Sequence, residues 1–277
     1  MSGLEHSHGL PLILSAALLV AVSCGLLSFF VVHRNLAFMT HGIAHSMVAG
    51  VGLALLMHWT VFWPAMITAV VLALGIGWVT RRGRLAEDSA IGIVLSGALA
   101  LGIFLAARPH EGHDGHEQHA GHVHDLESYL VGSLDHVLES DLIWLIAFAA
   151  LAVILVIRFW HPLLRFAYDP EGAQISGYPV ETIRFGILTA LAITIALTMR
   201  VVGILLVGAL LIIPAAAAGF WSARAVTVIF MAVLIAVVGA AVGVILAATL
   251  HAPAGATVIL TLVALFLVSR IFGPYRT

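Results

Sequence analysis

An all-α, polytopic membrane bundle of eight or nine transmembrane helices is what this sequence predicts, and three observations carry that reading. Hydrophobic residues fill 62% of 277 positions and charged residues only 9%, with a mean hydropathy of +1.12, which leaves too little polar surface to cover a water-soluble globule. Apolar stretches recur along the chain at the length a helix needs to cross a bilayer, about 20 residues. Charges, prolines and polar clusters punctuate those stretches at short intervals. The chain reads as one transmembrane domain over 1–277, with a His-rich loop at 108–125 and a polar interspan segment at 166–182.

The first nine residues hold Glu5, His6 and His8 but no arginine or lysine, so they lack the basic region of a cleavable signal peptide. A retained first span is therefore expected at 10–32. Further spans are expected at 37–57, 60–79, 89–107, 141–160, 183–199, 201–220, 225–248 and 255–272. The pair flanking Arg200 also reads as a broken or short helix, because Gly203 and Gly208 interrupt its second member and Pro214 lies inside it. Between the His-rich loop and the fifth span, 125–134 is too short and polar to cross, and Tyr129 suits an interfacial or re-entrant helix, with His136 just beyond.

Arginine placement gives the orientation. Arg34, the group Arg81, Arg82 and Arg84, the region from Arg158 to Arg184, Arg224, Arg270 and Arg276 share one side under nine spans, which the positive-inside rule makes cytoplasmic. The N-terminus and the His-rich loop then lie outside; Arg108 and Arg200 are exceptions that leave eight spans open. Several functions are excluded. The chain has no lysine, so it has no Walker A loop and hydrolyses no ATP by itself. Its single cysteine, Cys24, rules out an intrachain disulfide and a Cys-rich zinc cluster. A net charge of −2 gives no case for nucleic acid.

Histidine carries the chemistry. His110, His113, His116, His119, His122 and His124 stand in one polar loop, where repeated His-x-x-His steps let several rings converge on a transition metal without a fold. The bland reading of that loop is a solvated spacer. Within the second span, His41 and His45 are four apart, one turn along one helix face, about 6 Å of rise. Two imidazoles so placed can share a metal; the alternative is hydrogen bonding that fixes helix contacts. No glutamate completes a His-Glu-x-x-His pattern, so a hydrolase is not indicated. Gly42, Ser46 and Gly50 form a small-residue stripe that lets another helix approach. Far along the chain, His251 precedes Pro253 and Gly255, which are expected to leave carbonyls free near the last span, and a third imidazole there can complete a site.

Three runs carry a resemblance: Asn35 to Ser46 (NLAFMTHGIAHS), Val201 to Ala216 (VVGILLVGALLIIPAA) and Pro253 to Leu260 (PAGATVIL). They resemble the signature segments of the permease subunits of zinc, manganese and iron ABC importers, and the likeness extends over nearly the whole chain. It implies a subunit that works as a homodimer in the inner membrane of a bacterium, with separate ATPase subunits and an extracytoplasmic metal-binding protein. No resident cofactor is implied; the metal, Zn²⁺ by this reading, is the substrate. In the family the positions of His41 and His251 are commonly aspartate. Imidazoles at both favour zinc over hard manganese, although they supply no negative charge. The resemblance also makes 166–182 the segment that rests on the ATPase, with Asp169, Glu171, Ala173 and Gly177 in it. Asp169 and Glu171 suit a first helical turn and Gly177 a helix stop, while Gly172 replaces a bulkier family residue. The 125–134 segment resembles a family segment at the same place.

Two rival readings remain. A gradient-driven secondary metal transporter needs acidic residues within the spans, and the acids here sit almost wholly in loops or at span ends. An intramembrane metalloenzyme needs a carboxylate beside its metal histidines, and none is near His41 or His45 in sequence.

Overall fold

The computed structural model describes residues 5–57, 59–81, 86–106 and 139–275. The His-rich loop, the 125–134 segment, His136, and the side chains of His6 and His8 lie outside the described residues. Eleven helices and no strand occur among the described residues: α1 Glu5–His33, α2 Ala37–Ser46, α3 Val48–Met57, α4 Phe62–Thr80, α5 Glu87–Ala106, α6 Glu139–Arg158, α7 Trp160–Tyr168, α8 Pro170–Ile175, α9 Val180–Gly219, α10 Ala225–Leu250 and α11 Ala254–Phe272. Among the described residues eight stretches are long and apolar enough to cross a membrane, nine if the bent pair α6–α7 counts as one more.

Hydroxyls inside the spans satisfy themselves. Ser23, Ser28, Thr40, Ser46, Thr194 and Thr198 each donate to a carbonyl three or four residues back, so no polar side chain among them needs water. Glycines set the helix spacing. A Cβ at Gly25 of α1 would lie 3.0 Å from the Val233 backbone of α10, and one at Gly102 of α5 would lie 2.5 Å from the Val48 carbonyl of α3. Such contacts drive helix association in lipid, where apolar side chains gain little by leaving the bilayer. The Gly42–Ser46–Gly50 stripe serves two neighbours: Gly42 faces Ile91 of α5, and Gly50 faces Pro64, Ala65 and Thr68 of α4.

Three spans are interrupted. The second is interrupted for one residue at Met47, between α2 and α3, with Met47 itself still at helical angles. The fifth ends sooner than expected at Arg158, since the backbone leaves helical geometry at Phe159 and α7 departs at 77°. Pro162 falls in the first turn of α7, where its missing N–H removes no helical bond. The third is α9, whose 40 residues would measure about 60 Å if straight, twice the apolar thickness of a bilayer. Gly203 breaks it, at φ 77° and ψ 163°, which a side-chain-bearing residue rarely adopts.

The contacts fix the direction of each half. Met199 shares a cavity of about 320 Å³ with Met47, Val51 and Ala65, whereas Gly208 packs on His41, farther back on the same neighbouring span. The chain therefore turns back at Gly203, and the two halves of α9 are separate, oppositely directed spans. Sequence reading expected two spans there, and the break it placed near Arg200 falls at Gly203. Gly243 faces Val258 and Gly239 faces Leu262, so α10 and α11 form a further antiparallel pair.

Candidate metal site

The α1–α2 turn presents the imidazoles. Asn35 takes φ 54°, a left-handed conformation that asparagine tolerates, and α2 begins two residues later. One turn into α2, His41 stands half-buried against the second half of α9. A Cβ built on Gly208 would lie 2.7 Å from His41 Cε1 and 3.3 Å from each ring nitrogen, so glycine is what admits the ring edge that carries both nitrogens. His45 follows one turn on, also half-buried. No hydrogen bond within the described residues engages either imidazole. The contact of His41 with Gly208 is itself a helix contact, so packing and ligation both fit this geometry. Two imidazoles one turn apart on α2, without a hydrogen bond among the described residues, have nitrogen lone pairs to offer a borderline divalent cation.

His251 lies elsewhere. It is the exposed C-cap of α10 in a left-handed conformation, at φ 53° and ψ 39°. Neighbouring contacts give its level. Val202 of α9 stands beside Gly255 and Phe220 beside Gly273, which puts Gly208 level with about Thr261 of α11 and the middle of α10. From there to His251 is roughly 16 Å along the bundle, less one turn for His45. Among the described residues no group of three or more His, Cys, Asp or Glu side chains gathers as a metal site, so this structure does not join the three histidines. The free carbonyls expected near Pro253 are not all free either. Pro253 O accepts from the Thr257 N–H at 3.2 Å and from Thr257 Oγ1 at 3.3 Å, because α11 starts directly on that proline.

At the arginine-bearing end of the bundle, α8 follows α7. Asp169 caps it by accepting from the Gly172 N–H at 2.8 Å, Pro170 fills its first position, and Gly177, at φ 83°, ends it. Ala173 is its buried residue, while Glu171 is exposed. The Asp169 carboxylate occupies the space where a Cβ of Gly172 would lie, so the bulk missing at position 172 makes room for the cap. Arg165 lies 5.0 Å over the Tyr178 ring, and a cavity of about 430 Å³ opens between α7 and α8, lined by Leu164, Arg165, Tyr168, Asp169, Ala173 and Ser176.

Next to this segment is a network that sequence reading did not find. Arg184 of α9 donates through Nη2 to Thr80 Oγ1 at 2.7 Å and to Glu87 Oε1 at 2.6 Å, and Arg81 pairs with Glu181 at 3.2 Å. Arg34 stacks on Phe166 at 4.7 Å. Burial pushes its guanidinium below the usual arginine range; the nearby Glu87 opposes that shift and Arg184 adds to it. The ends of α4 and α5 are thus tied to the helix that continues from α8, and the end of α1 to α7. The only signal in the sequence was charge at several span ends, with nothing to say which would meet.

A profile of the ABC 3 transport family matches residues 10–273. The manganese transport system membrane protein of Halalkalibacterium halodurans is 33% identical over 261 residues, covering 94% of this chain and 86% of that protein. The high-affinity zinc uptake system membrane protein of Haemophilus influenzae is 29% identical over 261 residues, covering 93% of this chain and 96% of that protein. Among solved structures, PsaBC from Streptococcus pneumoniae in complex with Fab superposes with a TM-score of 0.82 at 26% identity, over 98% of this chain and 94% of that one.

Proposed function

The chain belongs to the ABC 3 transport family, as the membrane-spanning permease of a bacterial metal-type ABC importer, and from that premise we propose that its substrate is Zn²⁺, handed inward through the seam between α2 and α9. One observation carries the reading: His41 and His45 stand one turn apart in that seam with no hydrogen bond among the described residues to occupy their nitrogens. Relatives carry the names of manganese, iron and zinc, so family membership does not choose between metals. The donor atoms favour zinc, because imidazole suits it and manganese prefers carboxylate and carbonyl oxygen.

A transport site has to capture its ion and also release it, which suits an incomplete imidazole set better than a closed tetrahedron. His251, at the end of α10, serves as an entry ligand, joining the pair only in another access state of the transporter. Two copies of the chain form the pore, an extracytoplasmic protein delivers the ion, and separate ATPase subunits dock on α8, with Asp169, Glu171, Ala173 and Gly177 in the contact. The bonds at the start of α9, which follows α8 directly in the chain, support that last role: Glu181 pairs with Arg81, and Arg184 with Thr80 and Glu87. A gradient-driven carrier is disfavoured because the described spans hold no carboxylate away from their ends.

The test is zinc uptake by proteoliposomes that contain the full complex. His45→Ala is expected to abolish uptake at limiting zinc and to relieve competition between zinc and manganese. Uptake by the variant at the native rate would make His45 a packing residue and end the proposal.

A further inference from the structure

Gly208 touches the proposed site without offering a ligand. It is buried in the second half of α9, five residues beyond the break at Gly203, and the edge of the His41 ring rests on its Cα. A Cβ there would lie 2.7 Å from Cε1, closer than real Cβ contacts, and the atom in its way is the far end of a side chain. Substitution would therefore rotate the imidazole and leave the backbone in place. Not every glycine near the seam has this property. The Cβ of Gly50 or of Gly243 would strike backbone atoms of the next helix, so substitutions there push helices apart.

We propose that Gly208 is a specificity-determining positioning residue: it is the seat that lets an imidazole, with its full ring, stand at position 41, and it fixes which way the two ring nitrogens face. The inference rests on the reading of His41 and His45 as zinc ligands. Removing the seat turns the ring out of line with His45 and weakens zinc more than it weakens the fold. A shorter ligand at position 41 does not reach Gly208, so the demand for glycine disappears with the imidazole. Outer contacts that orient a metal ligand typically change affinity by about 10- to 100-fold when lost.

A double-mutant cycle separates ring orientation from helix packing. Gly208→Ala is made in the native chain and in a His41→Asp background, with the full importer reconstituted. Two quantities are measured: KM for zinc uptake, and titration of the purified chain with Co²⁺, following the ligand-field absorption that His45→Ala removes. Gly208→Ala is expected to weaken both by about tenfold or more in the native chain, with unchanged yield and unfolding midpoint, and by less than about twofold in the His41→Asp background. The cobalt arm reads the cycle even where a variant transports nothing. Equal losses in the two backgrounds, or no loss in the native chain, would overturn the role of Gly208. Failure of the zinc reading looks different: the native chain then has no cobalt band that depends on His45, and His41→Ala transports zinc normally.

Discussion

Gly102 tests whether glycine spacing holds the span that bears the imidazoles. A Cβ added there would lie 2.5 Å from Val48 O, 2.6 Å from Val48 C and 2.8 Å from Val48 Cγ1, where ordinary contact begins at 3.4 Å. The helices α3 and α5 would have to separate by about 1 Å at this crossing, an overpacking that costs about 1–3 kcal/mol. Alanine returns up to about 1 kcal/mol of helix propensity, so the bare loss for Gly102→Ala is hard to interpret alone. Gly97, on the same helix, has nothing within 4 Å of its Cβ position and supplies the control. Both variants gain the same propensity, so their difference isolates the overpacking. In a titration of the purified protein with denaturing detergent, Gly97→Ala is expected at or above native stability and Gly102→Ala about 1–3 kcal/mol below Gly97→Ala. If the two unfold together, the close approach of α3 and α5 does not contribute to stability and the spacing argument is wrong.

Arg184→Met removes two hydrogen bonds, to Thr80 and Glu87; the Arg184 side chain is 19% exposed and that of Glu87 43%, and with that exposure discounting the charge a loss of about 1–2 kcal/mol is expected in thermal unfolding. Combining it with Glu87→Gln should cost clearly less than the sum of the single losses, and strict additivity would show that the pair is only adjacent. Imidazoles bind metal when neutral, so zinc affinity should fall with falling pH, by up to about a hundredfold per unit where both His41 and His45 are protonated. A pH-independent KM for zinc between mildly acid and neutral pH would contradict ligation by both. Removal of 108–125 should lower uptake at limiting zinc and leave it intact at saturating zinc, and complete loss at saturation would rule out a scavenging role for that loop.

Much of the fold was legible because membrane insertion is decided locally. An unpaired backbone polar group in lipid costs several kcal/mol, so each apolar run of span length declares itself a helix wherever it occurs in the chain. The same locality made the ends of α8 readable: the Asp169 side chain accepts from an N–H three residues on, and Gly177 takes a positive φ. His41 and His45 could be placed on one face from their spacing alone. His251 could not be placed relative to them, since a shared site depends on the register between α10 and α2, and no spacing within either helix encodes that register. The bend at Phe159 was hidden for a related reason: the apolar pattern runs on through Trp160, Leu163 and Leu164, and packing of Phe166 and Ala167 into the bundle turns the chain aside.

Composition and local patterning were enough for a bundle of eight or nine spans, for the residue types that can ligate metal, and for the end signals at Asp169 and Gly177. These follow from the solvent and from each residue's nearest neighbours along the chain. Only packing between segments placed the turn within α9 at Gly203 and not at Arg200, set the His41 ring on Gly208, and joined Arg184 of α9 to α4 and α5. Each is a contact between distant segments, fixed by where small residues let helices approach, and close packing resolves it only when all the spans are in place.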